Sequence, residues 1–195
     1  AILPLGVDRK FFISEKPCKD EKPFIILYSG RLTKEKGVDI LLDVLQKLPD
    51  ALLRIAGKGN FEEELKNKTL SMNLEKRVTF LGFLGREELK KEYQKAHILA
   101  VPSQGIEGIP QVCLEAMANY LPVMATDTGG ISEVFTDAAL IVPKGNRQEV
   151  INAIVELHDN QSLRDDLAIK GRERVEQYSW ERIAHLYMAL FRSLL

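Results

Sequence analysis

The chain has 195 residues, 45% hydrophobic and 28% charged, with a formal net charge of −1. This is the profile of an ordinary soluble globular chain with enough apolar material for one sizeable core, and it gives no bulk electrostatic case for binding nucleic acid. No apolar run approaches the ~20 residues that a membrane span needs, and the start shows no signal-peptide pattern. Cys18 and Cys113 stand far apart in no metal-like or redox-like spacing, and His97, His158 and His185 are scattered. The expectation is a reduced, cytoplasmic compartment and no metal site built on histidine or cysteine.

Taken in chain order, residues 1–8 are mostly apolar and residues 15–23 are rich in Lys and Pro. Residues 1–23 therefore read as a strand end and linker from a longer polypeptide; a processed or cloned terminus would look the same. Residues 24–29 form a buried strand ending at Gly30. Apolar residues at 38, 41, 42, 45 and 48 predict a helix that Pro49 stops. A strand over 51–57 follows. Asn60 with Glu63 is a capping-box pattern, which predicts a helix with Glu62, Glu63 and Glu64 in its first turn. Further strands are predicted over 77–81, 97–101, 122–126 and 139–142, with helices over 85–95, from the glutamate-bearing loop to Asn119, and briefly near Glu133. From Arg147 onward only helices are predicted. Ile183, Leu186, Tyr187, Leu190 and Leu194 form an amphipathic stripe, expected to lie on the core.

Six near-continuous apolar strands separated by helices predict an α/β fold, a Rossmann-like, doubly wound parallel sheet with extra C-terminal helices. Residues 24–178 would be the sheet domain and residues 179–195 a C-terminal helix. Ligands in such sheets bind beyond the C-terminal strand ends.

Glu107 and Glu115 flank a loop and helix start that follow one such end. A junction of this kind presents N–H groups to anions and carboxylates to hydroxyl groups. A solvated loop glutamate and an exposed helical one explain the same residues. The turn after the first strand carries Arg31 and Lys36 but neither G-x-G-x-x-G nor G-x-x-x-x-G-K-[ST]. That argues against a nicotinamide dehydrogenase and a P-loop NTPase. Arg31 offers a fork and Lys36 a point charge, which together could neutralise a diphosphate without metal; solvated surface cations are the alternative. Gly57 and Phe83 could line a nucleoside, or be a plain turn and a core ring.

Several motifs occur in order: Gly30-Arg31-Leu-x-x-x-Lys36-Gly37, Ile-Ala-Gly57-Lys-Gly59, Phe-Leu-Gly-Phe83, Pro-Ser103, Glu107-Gly-Ile-Pro-x-Val-x-Leu-Glu115-Ala-Met-Ala, Pro-Val-x-Ala-Thr126 and Gly-Gly-Ile-x-Glu133. The series resembles the C-terminal, donor-binding domain of family-four, or group 1, retaining glycosyltransferases of the GT-B fold. The resemblance covers essentially the whole chain, including the opening segment through Asp8, similar to the family's inter-domain hinge, and Tyr178-Ser-Trp180-Glu181, similar to its last helical segment. It implies that Arg31 and Lys36 hold the diphosphate of a UDP- or GDP-sugar, with Gly30 in the same turn. Glu107 would meet the sugar hydroxyls, with the backbone of Gly108, Ile109 and Pro110 beside the sugar and phosphates. Val112 and Leu114 would lie near the nucleotide, Glu115 would accept from the ribose, and Gly57 and Phe83 would border the nucleoside. No metal or other cofactor is implied, and the acceptor would be held by an N-terminal domain of the same full-length protein, so the isolated domain would be inactive. The full-length protein could be membrane-associated through that other half. Two departures are notable: Ile109-Pro110 replaces the commoner Phe-Gly, and Tyr120 replaces a small residue, which is expected to alter packing behind the site. A nucleotide-sugar-binding module without transfer and a GT-B nucleotide-sugar epimerase are the alternative readings.

Overall fold

Alternation along each apolar run decides the layers. In the computed structural model, which describes residues 5–19, 22–105 and 108–193, Ile26 and Tyr28 face one hydrophobic cluster and Leu27 the other. Ile98 and Ala100 likewise oppose Leu99 and Val101. Both faces are covered, as a parallel sheet requires.

The strands are β1 (Phe24–Ser29), β2 (Ala51–Ala56), β3 (Val78–Gly82), β4 (Ile98–Val101), β5 (Val123–Asp127) and β6 (Leu140–Pro143). They pair in parallel in the order β3-β2-β1-β4-β5-β6. The helices are α1 (Ile40–Lys47), α2 (Glu62–Ser71), α3 (Arg86–Lys95), α4 (Gln111–Ala118), α5 (Ile131–Phe135), α6 (Arg147–Asp159), α7 (Gln161–Val175) and α8 (Trp180–Ser193). On one face α1 buries Leu41, Leu42 and Leu45 with Val150 and Ile154 of α6. On the other, Cys113, Leu114 and Met117 of α4 pack with Phe135 and Val175. Arg147 ties α6 to α1 through Asp39, at 2.9 Å, and Asp43, while Lys68 of α2 reaches Asp39 at 3.3 Å.

Every expected strand is present, with ends within a residue of those read from the sequence. Three local expectations fail. The capping box at Asn60 does not form: α2 begins at Glu62 after Phe61, with no side-chain cap. Phe61 is buried, and its N–H donates to the Leu32 carbonyl at 2.9 Å, so a tertiary anchor sets where the helix starts. The stripe on α8 is not laid on the core. Ile183 is buried, whereas Leu186 is 51% exposed, as is its neighbour Met188, and Phe191 is 61% exposed; Leu194 lies outside the described residues. Finally, Tyr120 is not behind the C-terminal strand ends. It turns the chain after α4 at φ 53° and lines a recess with His97 and Pro122 at the N-terminal ends.

Within the segment read as a hinge, Val7 and Phe11 are buried. Val7 N–H donates to Tyr178 O at 2.7 Å, and Trp180 N–H donates back to Val7 O at 3.2 Å. The segment thereby crosses the start of α8.

Candidate functional site

The strand order changes direction between β1 and β4, because β2 and β3 add on one side and β5 and β6 on the other. A crevice opens at such a switch point, beyond the carboxyl ends of the strands. Two recesses occupy it. The larger, about 310 Å³, is lined by Ser29, Gly30, Arg31, Gly57, Lys58 and Phe83, with Leu84 and Leu89 behind. The smaller, about 170 Å³, is lined by Ser29, Gly30, Lys36, Ser103 and the start of α4 at Pro110, Gln111 and Val112. Ser29 and Gly30 belong to both, so the two recesses adjoin at the end of β1 and together make up the cleft.

Backbone contact builds the floor. A Cβ on Gly57 would lie 1.8 Å from the Gly30 carbonyl oxygen, and Gly57 has φ +148°. Gly30 N–H donates to Ala56 O at 3.0 Å and Gly57 N–H to Gly82 O at 2.7 Å. The turns after β1, β2 and β3 are therefore laced together by main chain alone. The Tyr28 hydroxyl donates to Arg31 O at 2.7 Å and holds the first turn from beneath.

Arg31 is exposed on the rim of the larger recess, and Lys36 ends the short 3-10 turn Lys34–Lys36 beside the smaller one. α4 starts after an extended Pro110. The first N–H groups of a helix have no partner within it, so the Gln111 and Val112 amides present partial positive charge at the recess. Cations from one loop and amides from a helix start thus converge on the same crevice, an arrangement suited to a phosphate-bearing ligand.

Glu115 lies one turn further along α4, half-buried, and its Oε2 accepts a hydrogen bond from the Tyr93 hydroxyl at 3.0 Å. Burial pushes its carboxyl above the ordinary value, opposed by the Tyr93 hydrogen bond and the charge of Arg86. Phe83 is 79% exposed, which rules out the core-ring alternative. Leu114, in contrast, is fully buried among the α4 core residues and lines neither recess. Ile109 packs near Gly130 of the loop after β5, and Gly108 is exposed with open space around its α-carbon. Glu107 lies outside the described residues.

The sequence reading missed Ser29 and Tyr93. Tyr93 had a signal: in Arg86–Lys95, Leu89 and Tyr93 are the only apolar residues, four apart on an otherwise polar helix. His97 is structural, its Nδ1 accepting the Ile25 N–H at 2.9 Å. His185 and Glu133 are exposed. Among the described residues no three His, Cys, Asp or Glu side chains gather as metal ligands, and no helix is long and apolar enough to cross a membrane.

A doubly wound sheet of order 3-2-1-4-5-6, with cations and a helix start at its switch point, defines a Rossmann-like ligand-binding domain. The sequence model for glycosyl transferases group 1 matches residues 9–174, and the chain belongs to that family. It is 33% identical over 158 residues to an uncharacterized glycosyltransferase of Methanocaldococcus jannaschii, covering 80% of this chain and 44% of that protein. It is 32% identical over 202 residues to a GDP-mannose-dependent monoacylated alpha-(1-6)-phosphatidylinositol monomannoside mannosyltransferase of Corynebacterium glutamicum, covering 92% of this chain and 52% of that protein. Among solved structures, sucrose-phosphate synthase from Thermosynechococcus elongatus superposes with a TM-score of 0.87 at 28% identity, covering 98% of this chain and 52% of that one. The fold is that of GT-B glycosyltransferases, and the chain spans about half the length of these relatives.

Proposed function

We propose that this domain binds the nucleoside diphosphate of a nucleotide-sugar donor and serves retaining glycosyl transfer to an acceptor held by an N-terminal domain of the full-length protein. The observation that carries the reading is the pair of recesses adjoining at Ser29 and Gly30, with Arg31 on one arm and Lys36 and the start of α4 on the other. The Corynebacterium relative, described as GDP-mannose-dependent, supports a nucleotide-sugar donor.

In this reading Phe83 and Gly57 border the nucleoside, and Glu115 accepts from the ribose hydroxyls. Gly30, Arg31, Lys36 and the amides near Gln111 receive the diphosphate. Gly108, Ile109 and Pro110 offer backbone beside the sugar, Pro110 through its carbonyl and shape alone. Val112 lies near the phosphates, Leu114 supports the helix from the core, and Glu107 reads the sugar hydroxyls. Breaking the glycosidic bond builds negative charge on the β-phosphate. Fixed cations and amides oppose that charge, a contribution of typically ~3 kcal/mol per well-placed donor. They can do so without a divalent metal. The acceptor attacks the face the phosphate leaves, and the departing phosphate takes its proton. The acceptor-side groups belong to the other domain, so this domain alone binds donor without transfer.

Calorimetric titration with UDP, GDP and ADP, with and without Mg²⁺, tests the reading. Arg31→Ala should weaken the preferred nucleotide roughly tenfold or more, in line with the loss of a charge-assisted hydrogen bond. A folded wild-type domain that binds none of the three overturns the proposal, and binding that needs Mg²⁺ overturns its metal-independent part.

A further inference from the structure

α3 is the most polar helix against the sheet, yet Tyr93 on it has no exposed surface. Its ring packs edge-on against Phe11, with centroids 6.2 Å apart. Phenylalanine would fill that space equally well, so the hydroxyl calls for its own explanation. A buried hydroxyl is costly unless it is paired. Glu115 Oε2 accepts from it at 3.0 Å, and the Ser29 side chain hydrogen-bonds the same phenol. Ser29 is the residue common to both recesses with Gly30. One phenol thus links the junction of the cleft to the carboxylate on α4.

We propose that Tyr93 is a positioning residue that commits one oxygen of Glu115 and aims the other at the vicinal hydroxyls of a ribonucleotide, so that the cleft selects ribose over deoxyribose. The inference rests on the nucleotide-binding reading above. A carboxylate oxygen has two lone pairs and can accept from the 2′- and 3′-hydroxyls together. It does so only if the carboxylate is held in one rotamer and is ionised. Tyr93 serves both conditions. Its donated hydrogen bond fixes Oε2 and opposes the burial that favours the neutral acid, as the Arg86 charge also does. On the other side, Cys113 is the remaining titratable group facing the phenol.

The test is Tyr93→Phe in the whole chain, titrated with UDP, 2′-deoxy-UDP and inorganic pyrophosphate across pH. The wild type should prefer the ribonucleotide roughly tenfold, the range for a hydrogen bond to a charged group. Tyr93→Phe should lose most of that preference while pyrophosphate affinity stays constant. The acid limb of UDP binding should move to higher pH, because Glu115 has lost a partner of its charged form. A role in packing alone would lower the melting temperature and move neither the ratio nor the acid limb, and that result overturns the proposal. Should Tyr93→Phe not fold, Tyr93→3-fluorotyrosine keeps ring and hydroxyl and makes a stronger donor, so the acid limb should move to lower pH; an unmoved limb is again refutation. Failure of the wild type to bind any of UDP, GDP and ADP would instead remove the nucleotide reading itself.

Discussion

Replacing Gly57 with alanine tests whether the cleft floor is built by backbone contact. The new Cβ would stand 1.8 Å from the Gly30 carbonyl oxygen, where real Cβ atoms stay beyond 3.0 Å. The obstacle is main chain, so the ends of β1 and β2 must part. Holding alanine at φ +148° adds backbone strain of order 1–3 kcal/mol. Parting also weakens the bonds Gly30 N–H to Ala56 O and Gly57 N–H to Gly82 O, each worth about 1 kcal/mol net. The total is about 4 kcal/mol, which lowers the melting temperature of a chain this size by about 10 °C. Two controls separate the causes. Gly145 has φ +81° with nothing within 4 Å of its Cβ position, so Gly145→Ala carries strain alone, about 1 kcal/mol. Gly59 lies outside the left-handed range but would meet Leu32 O at 2.1 Å, so Gly59→Ala carries contact alone. Thermal unfolding followed by circular dichroism should rank Gly57→Ala as the most damaging and Gly145→Ala as the least. A Gly57→Ala protein that melts with Gly145→Ala would refute the contact argument.

Acid stability should depend on the ion network between α1 and α6. Burial pushes the Asp39 carboxyl up, but Arg147 and Lys68 outweigh it and hold the group below its ordinary 3.8. The folded value lies below the unfolded one, so the stabilisation is present above about pH 4 and is lost as pH falls through the folded value. Asp39→Asn should flatten the fall of the urea midpoint in that acid window, and an unchanged acid limb would refute the assignment. On α8, Ile183→Ala should destabilise by about 3 kcal/mol as a core truncation, and Leu186→Ala by less than ~0.5 kcal/mol as a surface change. Equal shifts in urea midpoint would contradict the one-sided burial of that helix. Exposed Arg31 should act on a nucleotide through screened charge, the Debye length being about 8 Å at physiological salt. Arg31→Ala should therefore reduce the salt dependence of UDP affinity as well as the affinity, which titration at two ionic strengths will show.

The strands were legible because burial on both faces leaves short, unbroken apolar runs such as residues 24–29 and 97–101, and nothing else in a chain of this kind looks like them. Their order was not written in any one run, since it depends on which crossovers turn left or right of β1. The cleft residues after β1 and β2 were legible through glycine: Gly57 stands at a strand end where a Cβ has no room, and Gly30 at one where φ is +155°. Asn60 misled because capping is a local preference, and Phe61, held by the core and by Leu32 O, outweighs it. The α8 stripe misled for a related reason. Amphipathic periodicity says that a face wants cover, and it does not say that this domain supplies it. Tyr93 was hidden because a lone aromatic on a helix reads as packing, and only the position of α4 beside it on the same face of the sheet reveals what its hydroxyl meets.

Residue type does not separate the cations of the cleft from the cations of the scaffold; position relative to the sheet does. Arg77 donates to Leu48 O at 2.8 Å at the end of α1, and Arg164 donates to Leu157 O and His158 O, at 2.6 and 2.8 Å, at the end of α6. Arg174 reaches Val134 O at 2.8 Å on α5. Carbonyls at a helix end carry partial negative charge and lack partners in the helix, so these guanidinium groups answer a need of the fold. Arg31 follows a parallel strand instead, on a glycine turn pinned through its own carbonyl by Tyr28, which leaves the backbone fixed and the side chain exposed at the recess. The same contrast holds for the buried hydroxyls. Thr69 turns back on Leu65 O at 2.8 Å within its own helix, while Tyr93 sends its hydrogen bond across to another element, to the Glu115 carboxyl that burial makes harder to ionise. A side chain that could have been satisfied locally, or replaced by phenylalanine, and is instead spent on Glu115 is the reason to read that glutamate as part of a site.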